Sequence, residues 1–204
     1  MTTFATPPPR LWLVRHACPD IAPGICYGRL DVPALPAASR AAAQALAHAL
    51  AQRIAAVRHS PLQRCELLAL DLRRLRPDLA QISHPDPRLI ELDFGHWEGC
   101  AWEALPRADI DAWSADLHCH APGGGEALAG MLARVAQALD DAARAGWKTG
   151  GDVVWLTHAG VARCVDWLLR HGPDEPADAA RWPLHAPGYG AWTTVSLPRP
   201  AAVA

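Results

Sequence analysis

Apolar residues along the chain gather into short runs separated by longer, periodic stretches. Four of the runs, residues 11–14 (LWLV), 54–57 (IAAV), 152–157 (DVVWLT) and 191–197 (AWTTVSL), have the length and β-branched content of buried strands. A fifth strand is expected near residues 81–84. Between the runs the spacing changes to steps of three and four. Leu62, Cys65, Leu68, Leu72 and Leu75 mark one helix face, and Leu128, Leu132, Val135 and Leu139 another. Further helices are expected over residues 38–52 and after His158, through Val161, Val165 and Leu168. Alternating strands and helices predict an α/β layer fold, in which chemistry collects beyond the carboxyl ends of the strands.

Residues 99–125 differ in texture, with Trp102, Trp113 and a His-Cys-His run before Pro-Gly-Gly-Gly. They are expected to form a lid or insertion over one end of the sheet within a single domain spanning 1–204. A chain of 204 residues, half apolar and one-fifth charged, can bury a substantial core. Its net charge of -2 supplies no general field for nucleic acid or an anionic membrane, so a bound anion must be held by a local pocket. Six scattered cysteines without a C-x-x-C pair fit reduced thiols and a cytoplasmic setting. The proline run near the N-terminus stands where a signal peptide would need an apolar stretch.

Candidate chemistry lies at the strand ends. The first strand runs into Arg15-His16, the second into His59-Ser60-Pro61-Leu62-Gln63-Arg64, and the strand over 152–157 into His158-Ala159-Gly160. An acidic loop, Glu91-Leu92-Asp93-Phe94-Gly95-His96-Trp97-Glu98, follows the weak strand. In a parallel sheet these ends converge, which would gather two arginines, two histidines and a carboxyl group. Such a group suits a phosphate monoester: guanidinium forks match phosphate oxygens, helix N-termini add N–H donors, and neutral imidazole attacks phosphorus. No cofactor and no metal is expected. His118-Cys119-His120 is the one metal-like run, but adjacent ligands in an extended stretch point apart. Cys164 and Arg170 have the C-x5-R spacing of cysteine phosphatases, yet no glycine lies between them to form a phosphate loop, so a core helix face is expected there.

Taken in order, LVRHA, SPLQRC, IELDFGHWEG, PGGGE and LTHAG resemble the motifs of the histidine phosphatase superfamily, phosphoglycerate-mutase-like branch. The resemblance implies a three-layer α/β/α fold with a mostly parallel central sheet. It also implies His16 as a phosphorylated nucleophile, Arg15, Arg64 and His158 as the grip on the phosphoryl oxygens, and Glu91 as proton donor. His158 is expected to be cationic. Asp93 is the alternative acid, and Glu98 is read as structural. Two positions depart from the family pattern: Ala17 stands where glycine is usual, and Ala22 where an asparagine often reaches the phosphate. The run 26–31, with Tyr27, Gly28 and Arg29 as expected substrate contacts, resembles a loop of alpha-ribazole phosphatases. Trp97 and Trp102 bracket the acid loop and are expected to wall the pocket, which would suit an aromatic or heterocyclic leaving group. The expected partner is a small phosphomonoester. Two rival readings stand beside hydrolysis, a phosphoglycerate mutase and a catalytically silent phospho-ligand binding domain. The sole lysine, Lys148, and the lack of paired arginines in 99–122 weigh against the first, and the intact set of Arg15, His16, Arg64, Glu91 and His158 against the second.

Overall fold

The computed structural model describes residues 7–50 and 53–200. The last two positions of the helix expected over 38–52, part of the proline-rich N-terminal stretch and both ends of the domain expected over 1–204 lie outside them. Five strands form one sheet, β1 (Arg10–Arg15), β2 (Ile54–His59), β3 (Ser83–Pro85), β4 (Asp152–Thr157) and β5 (Trp192–Ser196), in the order β3-β2-β4-β1-β5. Every pairing is parallel except that of β1 with the edge strand β5. The helices are α1 (Pro36–Ala49), α2 (Gln63–Leu75), α3 (Arg107–Ala115), α4 (Leu128–Thr149) and α5 (Ala159–His171).

The two-residue period of the strands sorts their side chains between two cores. Leu11, Leu13, Val153 and Trp155 pack with α4 and α5 on one face, while Trp12, Val14, Val154 and Leu156 pack with α1 and α2 on the other. Every residue of β4 is buried, as a central parallel strand covered on both faces must be. The expected α/β/α layering is therefore present.

Strand order places the site. After β1 the chain crosses to the α1 side, and after the neighbouring β4 it crosses to the α5 side. The two loops part at the carboxyl edge and leave a crevice between them. Because Arg15 is in register with Thr157, and His59 with Leu156, the residues that follow emerge side by side: His16, His158 and Ser60. Residues 99–125 contain α3, which the sequence reading does not anticipate, with short 3-10 turns at Trp102–Ala104 and Pro122–Gly124. The helix α3 has no buried residue and is held through Trp113, whose ring meets Phe94 and Trp97 edge-on. Such a helix leaves too weak an apolar stripe to be read from periodicity. No helix among the described residues is long and apolar enough to cross a membrane.

Candidate active site

The structure brings Arg15, His16, Arg64 and His158 into one buried cluster, with Glu91 at its side. The rings of His16 and His158 lie 5.2 Å apart, and both residues are buried. His16 Nδ1 lies 2.7 Å from the carbonyl oxygen of Ala17. A carbonyl only accepts, so Nδ1 carries the hydrogen and Nε2 keeps its lone pair. Burial, aided by the charges of Arg64 and Arg15, lowers the His16 pKa from 6.5 to about 3. The imidazole is therefore neutral and nucleophilic at physiological pH.

The surrounding chain pushes His158 toward the neutral form, against the cationic form expected from sequence. Full burial and the charges of Arg64, His16 and Arg134 hold its pKa well below 6.5. The hydroxyl of Ser60 accepts from the Leu62 N–H at 3.3 Å and lies 2.9 Å from His158 Nε2. The Cys65 thiol lies 3.6 Å from Nε2 and also reaches the Thr157 carbonyl. Nδ1 has no partner among the described residues. In its Nδ1–H tautomer His158 donates a hydrogen bond to an anion without bearing charge.

Several buried polar atoms lack a hydrogen-bond partner. Among the described residues they are Arg15 Nε, Arg64 Nε, His158 Nδ1, Trp113 Nε1 and Arg163 Nε. Buried polar groups are almost always paired, and the first three, two of them guanidinium donors, belong to the three residues expected to grip phosphate. The other two line a neighbouring cavity. Arg64 is further fixed by donating to the carbonyls of Leu30 (2.8 Å) and Gly28 (2.5 Å), so the 28–30 loop is tied to the first turn of α2. Asp31 completes that tie by accepting from the Gln63 N–H at 2.7 Å.

Glu91 is held at the α5 N-terminus. Its carboxylate accepts from the Gly160 N–H (2.9 Å) and the Leu92 N–H (3.0 Å). A Cβ at Gly160 would meet Glu91 Oε1 at 2.0 Å, which explains glycine in the LTHAG motif. Arg134, on α4, donates to the carbonyls of Arg88 (2.6 Å) and Ile90 (2.7 Å) and pairs with Glu126 (2.7 Å). The PGGGE motif packs against the same loop: a Cβ at Gly125 would lie 2.1 Å from the Asp93 carbonyl. Asp93 is engaged elsewhere, accepting from the Gly95 N–H at 2.8 Å and from Arg29 at 3.4 Å. Glu98 accepts from the backbone of Arg29 and Leu30 and, at 2.9 Å, from Phe94 N–H, a structural tie.

Tyr27 lies over Arg64, 5.4 Å from ring centre to guanidinium, and its hydroxyl is 2.7 Å from that of Tyr189. Tyr189 in turn stacks on Arg15 at 3.9 Å and approaches the His16 ring at 5.5 Å. Sequence reasoning missed Tyr189, Ser60 and Arg134. Tyr189 sits in an irregular segment with no motif, whereas Ser60 stood inside a quoted motif and was legible as a partner for a strand-end histidine. Arg29 is exposed, paired with Asp93. Trp97 is displaced from its expected place: it is 2% exposed, packed beneath Trp102 and Trp113, and neither Trp97 nor Trp102 lines the cavity beside Glu91. Phe94, Trp113 and Trp182 form the aromatic wall instead. Ala22 is exposed and brings no polar side chain. Cys164 is buried in α5 with its thiol pKa pushed up by burial, and Arg170 pairs with Asp166 at 2.7 Å, the helix-face arrangement expected. His118 Nδ1 accepts from the Ala177 N–H at 3.2 Å.

The histidines predict a pH dependence of stability. His16, His158 and His59 all have pKa values below 6.5 in the folded chain. The unfolded chain therefore binds protons below about pH 6.5 that the folded chain refuses. Their contribution is complete above that pH and is lost as pH falls toward the His16 value of about 3. Denaturant midpoints measured from pH 7 to 4.5 should fall, with a slope approaching about 1.4 kcal/mol per pH unit for each fully excluded proton. The slope should shrink in His16→Ala.

Residues 11–196 match the profile of the histidine phosphatase superfamily, branch 1. Over 166 residues the chain is 36% identical to the uncharacterized protein Rv0525 of Mycobacterium tuberculosis, covering 78% of this chain and 75% of that one. Over 138 residues it is 34% identical to the bifunctional protein Rv2228c of the same organism, covering 65% of this chain and 37% of the relative, so it spans little more than a third of that protein's length. The mycobacterial glucosyl-3-phosphoglycerate phosphatase Rv2419c has a similar fold, with a TM-score of 0.73, 28% identity, and coverage of 92% of this chain and 90% of that one. Structures of that phosphatase have been solved with VO3 and with inorganic phosphate. With the profile spanning nearly the whole described chain and the five motifs meeting at one crevice, the chain belongs to the histidine phosphatase superfamily, branch 1.

Proposed function

We propose that the chain is a metal-independent phosphomonoester hydrolase that works through a phosphohistidine on His16. The observation that carries this reading is the neutral His16 ring, its Nδ1–H locked on Ala17, beside three buried and unpartnered nitrogens on Arg15, Arg64 and His158. Nε2 of His16 attacks phosphorus as the bond to the leaving oxygen breaks, and Glu91 passes its proton to that oxygen. Glu91 then takes a proton from water, whose oxygen attacks phosphorus and returns His16 to its neutral state. Arg15, Arg64 and His158 hold the equatorial oxygens throughout. Aligning and neutralising groups of this kind supply most of what phosphoryl transfer needs.

Hydrolysis is favoured over mutase chemistry because two of the cations beside Glu91 are already paired: Arg134 with Glu126, and Arg29 with Asp93. A mutase needs free cations for a second phosphate and a carboxylate. Alpha-ribazole 5'-phosphate is one candidate substrate, supported by the 26–31 loop, and the cytoplasm is the proposed setting. The test is turnover of p-nitrophenyl phosphate by purified protein. Activity should survive exhaustive EDTA treatment, and vanadate should inhibit by adopting a trigonal bipyramidal geometry at His16. Loss on chelation that divalent metal restores would overturn the mechanism. Absence of any turnover would favour the silent binding domain.

A further inference from the structure

Glu91 stands between two cavities of opposite character. One, of about 410 Å³, is lined by Arg29, Asp93, Glu126 and Arg134 among others. Arg134, on that side, reaches the backbone carbonyl of Glu91 at 3.4 Å. The carboxylate points the other way, to the Gly160 N–H, and Gly160 lines the second cavity, of about 130 Å³. That second cavity also borders Tyr27, which lies over Arg64, so it adjoins the phosphate grip. An oxygen protonated by Glu91 must lie within hydrogen-bond reach of the carboxylate. The remainder of the alcohol then extends into the smaller cavity.

The smaller cavity has a specific chemistry. Phe94, Trp113, Trp182, Leu117, Leu128 and Met131 make most of its wall. Two of its lining residues, Trp113 and Arg163, carry buried N–H groups (Nε1 and Nε) without a partner among the described residues, and Arg163 is anchored by a 3.2 Å hydrogen bond to the Leu184 carbonyl. An apolar cavity of about 150 Å³ holds a benzene ring, so the size here suits one ring. Unpartnered buried donors call for acceptors.

Resting on the phosphatase reading, we propose that this cavity is the leaving-group subsite and selects phosphomonoesters whose alcohol carries one compact heteroaromatic ring with hydrogen-bond acceptors. Polyols are disfavoured, because hydroxyl-rich groups would lose water against the Phe94, Trp113 and Met131 wall.

The test compares kcat/KM for four esters of similar alkoxide basicity: methyl, glycerol 1-, benzyl and pyridin-3-ylmethyl phosphate. Benzyl should exceed methyl and glycerol phosphate by on the order of 10²-fold, given that a single methylene in an apolar pocket discriminates by roughly 10- to 200-fold. The pyridine nitrogen should add roughly 2- to 10-fold, the worth of one neutral hydrogen bond. In Trp113→Phe, which keeps a ring and loses the N–H, the pyridylmethyl-to-benzyl ratio should fall. Calorimetric titration of the wild-type protein with 3-pyridylmethanol, benzyl alcohol and glycerol reads the cavity without turnover and should give the same order. Equal kcat/KM for glycerol and benzyl phosphate, or benzyl exceeding pyridylmethyl, would overturn the proposal while leaving the phosphatase reading standing. No turnover of any ester, with the alcohols still ranked as expected, would sink the phosphatase reading alone.

Discussion

Replacing His16 by alanine is expected to abolish phosphatase activity, with kcat/KM falling on the order of 10⁴–10⁶-fold, the scale seen when a covalent nucleophile is removed. The size follows from the site's economy. Arg15, Arg64 and His158 can hold a phosphate in the variant, but no other neutral nitrogen stands where His16 Nε2 does. His158, the other imidazole in the cluster, has Nε2 occupied by the Ser60 hydroxyl at 2.9 Å. The fold should persist, since the His16 side chain makes one hydrogen bond, to Ala17, and its backbone bonds to Thr157 and Gly190 do not involve the ring. Circular dichroism and cooperative unfolding should match the wild type, and incubation with phosphate donor should leave no acid-labile, base-stable phosphoprotein. Retained hydrolysis in this variant would mean that another group is the nucleophile.

Glu91→Gln is expected to cut kcat/KM for an alkyl phosphate by roughly 10²–10⁴-fold, the usual worth of a general acid. For p-nitrophenyl phosphate the loss should be far smaller, because p-nitrophenolate departs without a proton. The comparison uses kcat/KM, which reports steps up to formation of the phosphohistidine, whereas kcat is open to limitation by its hydrolysis. Slow hydrolysis should let the phosphohistidine accumulate on the variant. Asp93→Asn is the control. Asp93 is spent on the Gly95 N–H and Arg29 and does not line the cavity that Glu91 faces. Equal losses for the two substrates, or a selective loss in Asp93→Asn, would remove Glu91 from its role.

Much of this molecule was legible in one dimension. The runs at 11–14, 54–57 and 152–157 became β1, β2 and β4 because a central parallel strand must be apolar on both faces. The three- and four-residue steps at Leu62 to Leu75 and Leu128 to Leu139 became α2 and α4 for the complementary reason, one buried stripe per helix. The motifs LVRHA, SPLQRC and LTHAG marked strand ends, and strand ends of a parallel sheet meet. Residues 99–125 were legible only as irregular, because the contacts that hold α3 run through Trp113 to Phe94 and Trp97, and no local period records them.

What the sequence determined by itself was therefore which candidate groups stand at the strand ends and that they arrive at one edge, since both follow from residue type and strand periodicity, while the roles proposed for them come from the resemblance of the motifs. Their protonation was decided by tertiary structure. Sequence suggests a cationic His158, but burial and the Arg64 charge, acting across elements far apart in the chain, push it toward the neutral form. The pocket wall was decided there too. Trp97 and Trp102 neighbour the acid loop in sequence, yet the void beside Glu91 is closed by Trp113 of α3, Met131 of α4 and the distant Trp182. Sequence proximity sets which residues share a loop, whereas which of them face a cavity depends on how layers pack, and that is a sum of non-local contacts no single segment contains.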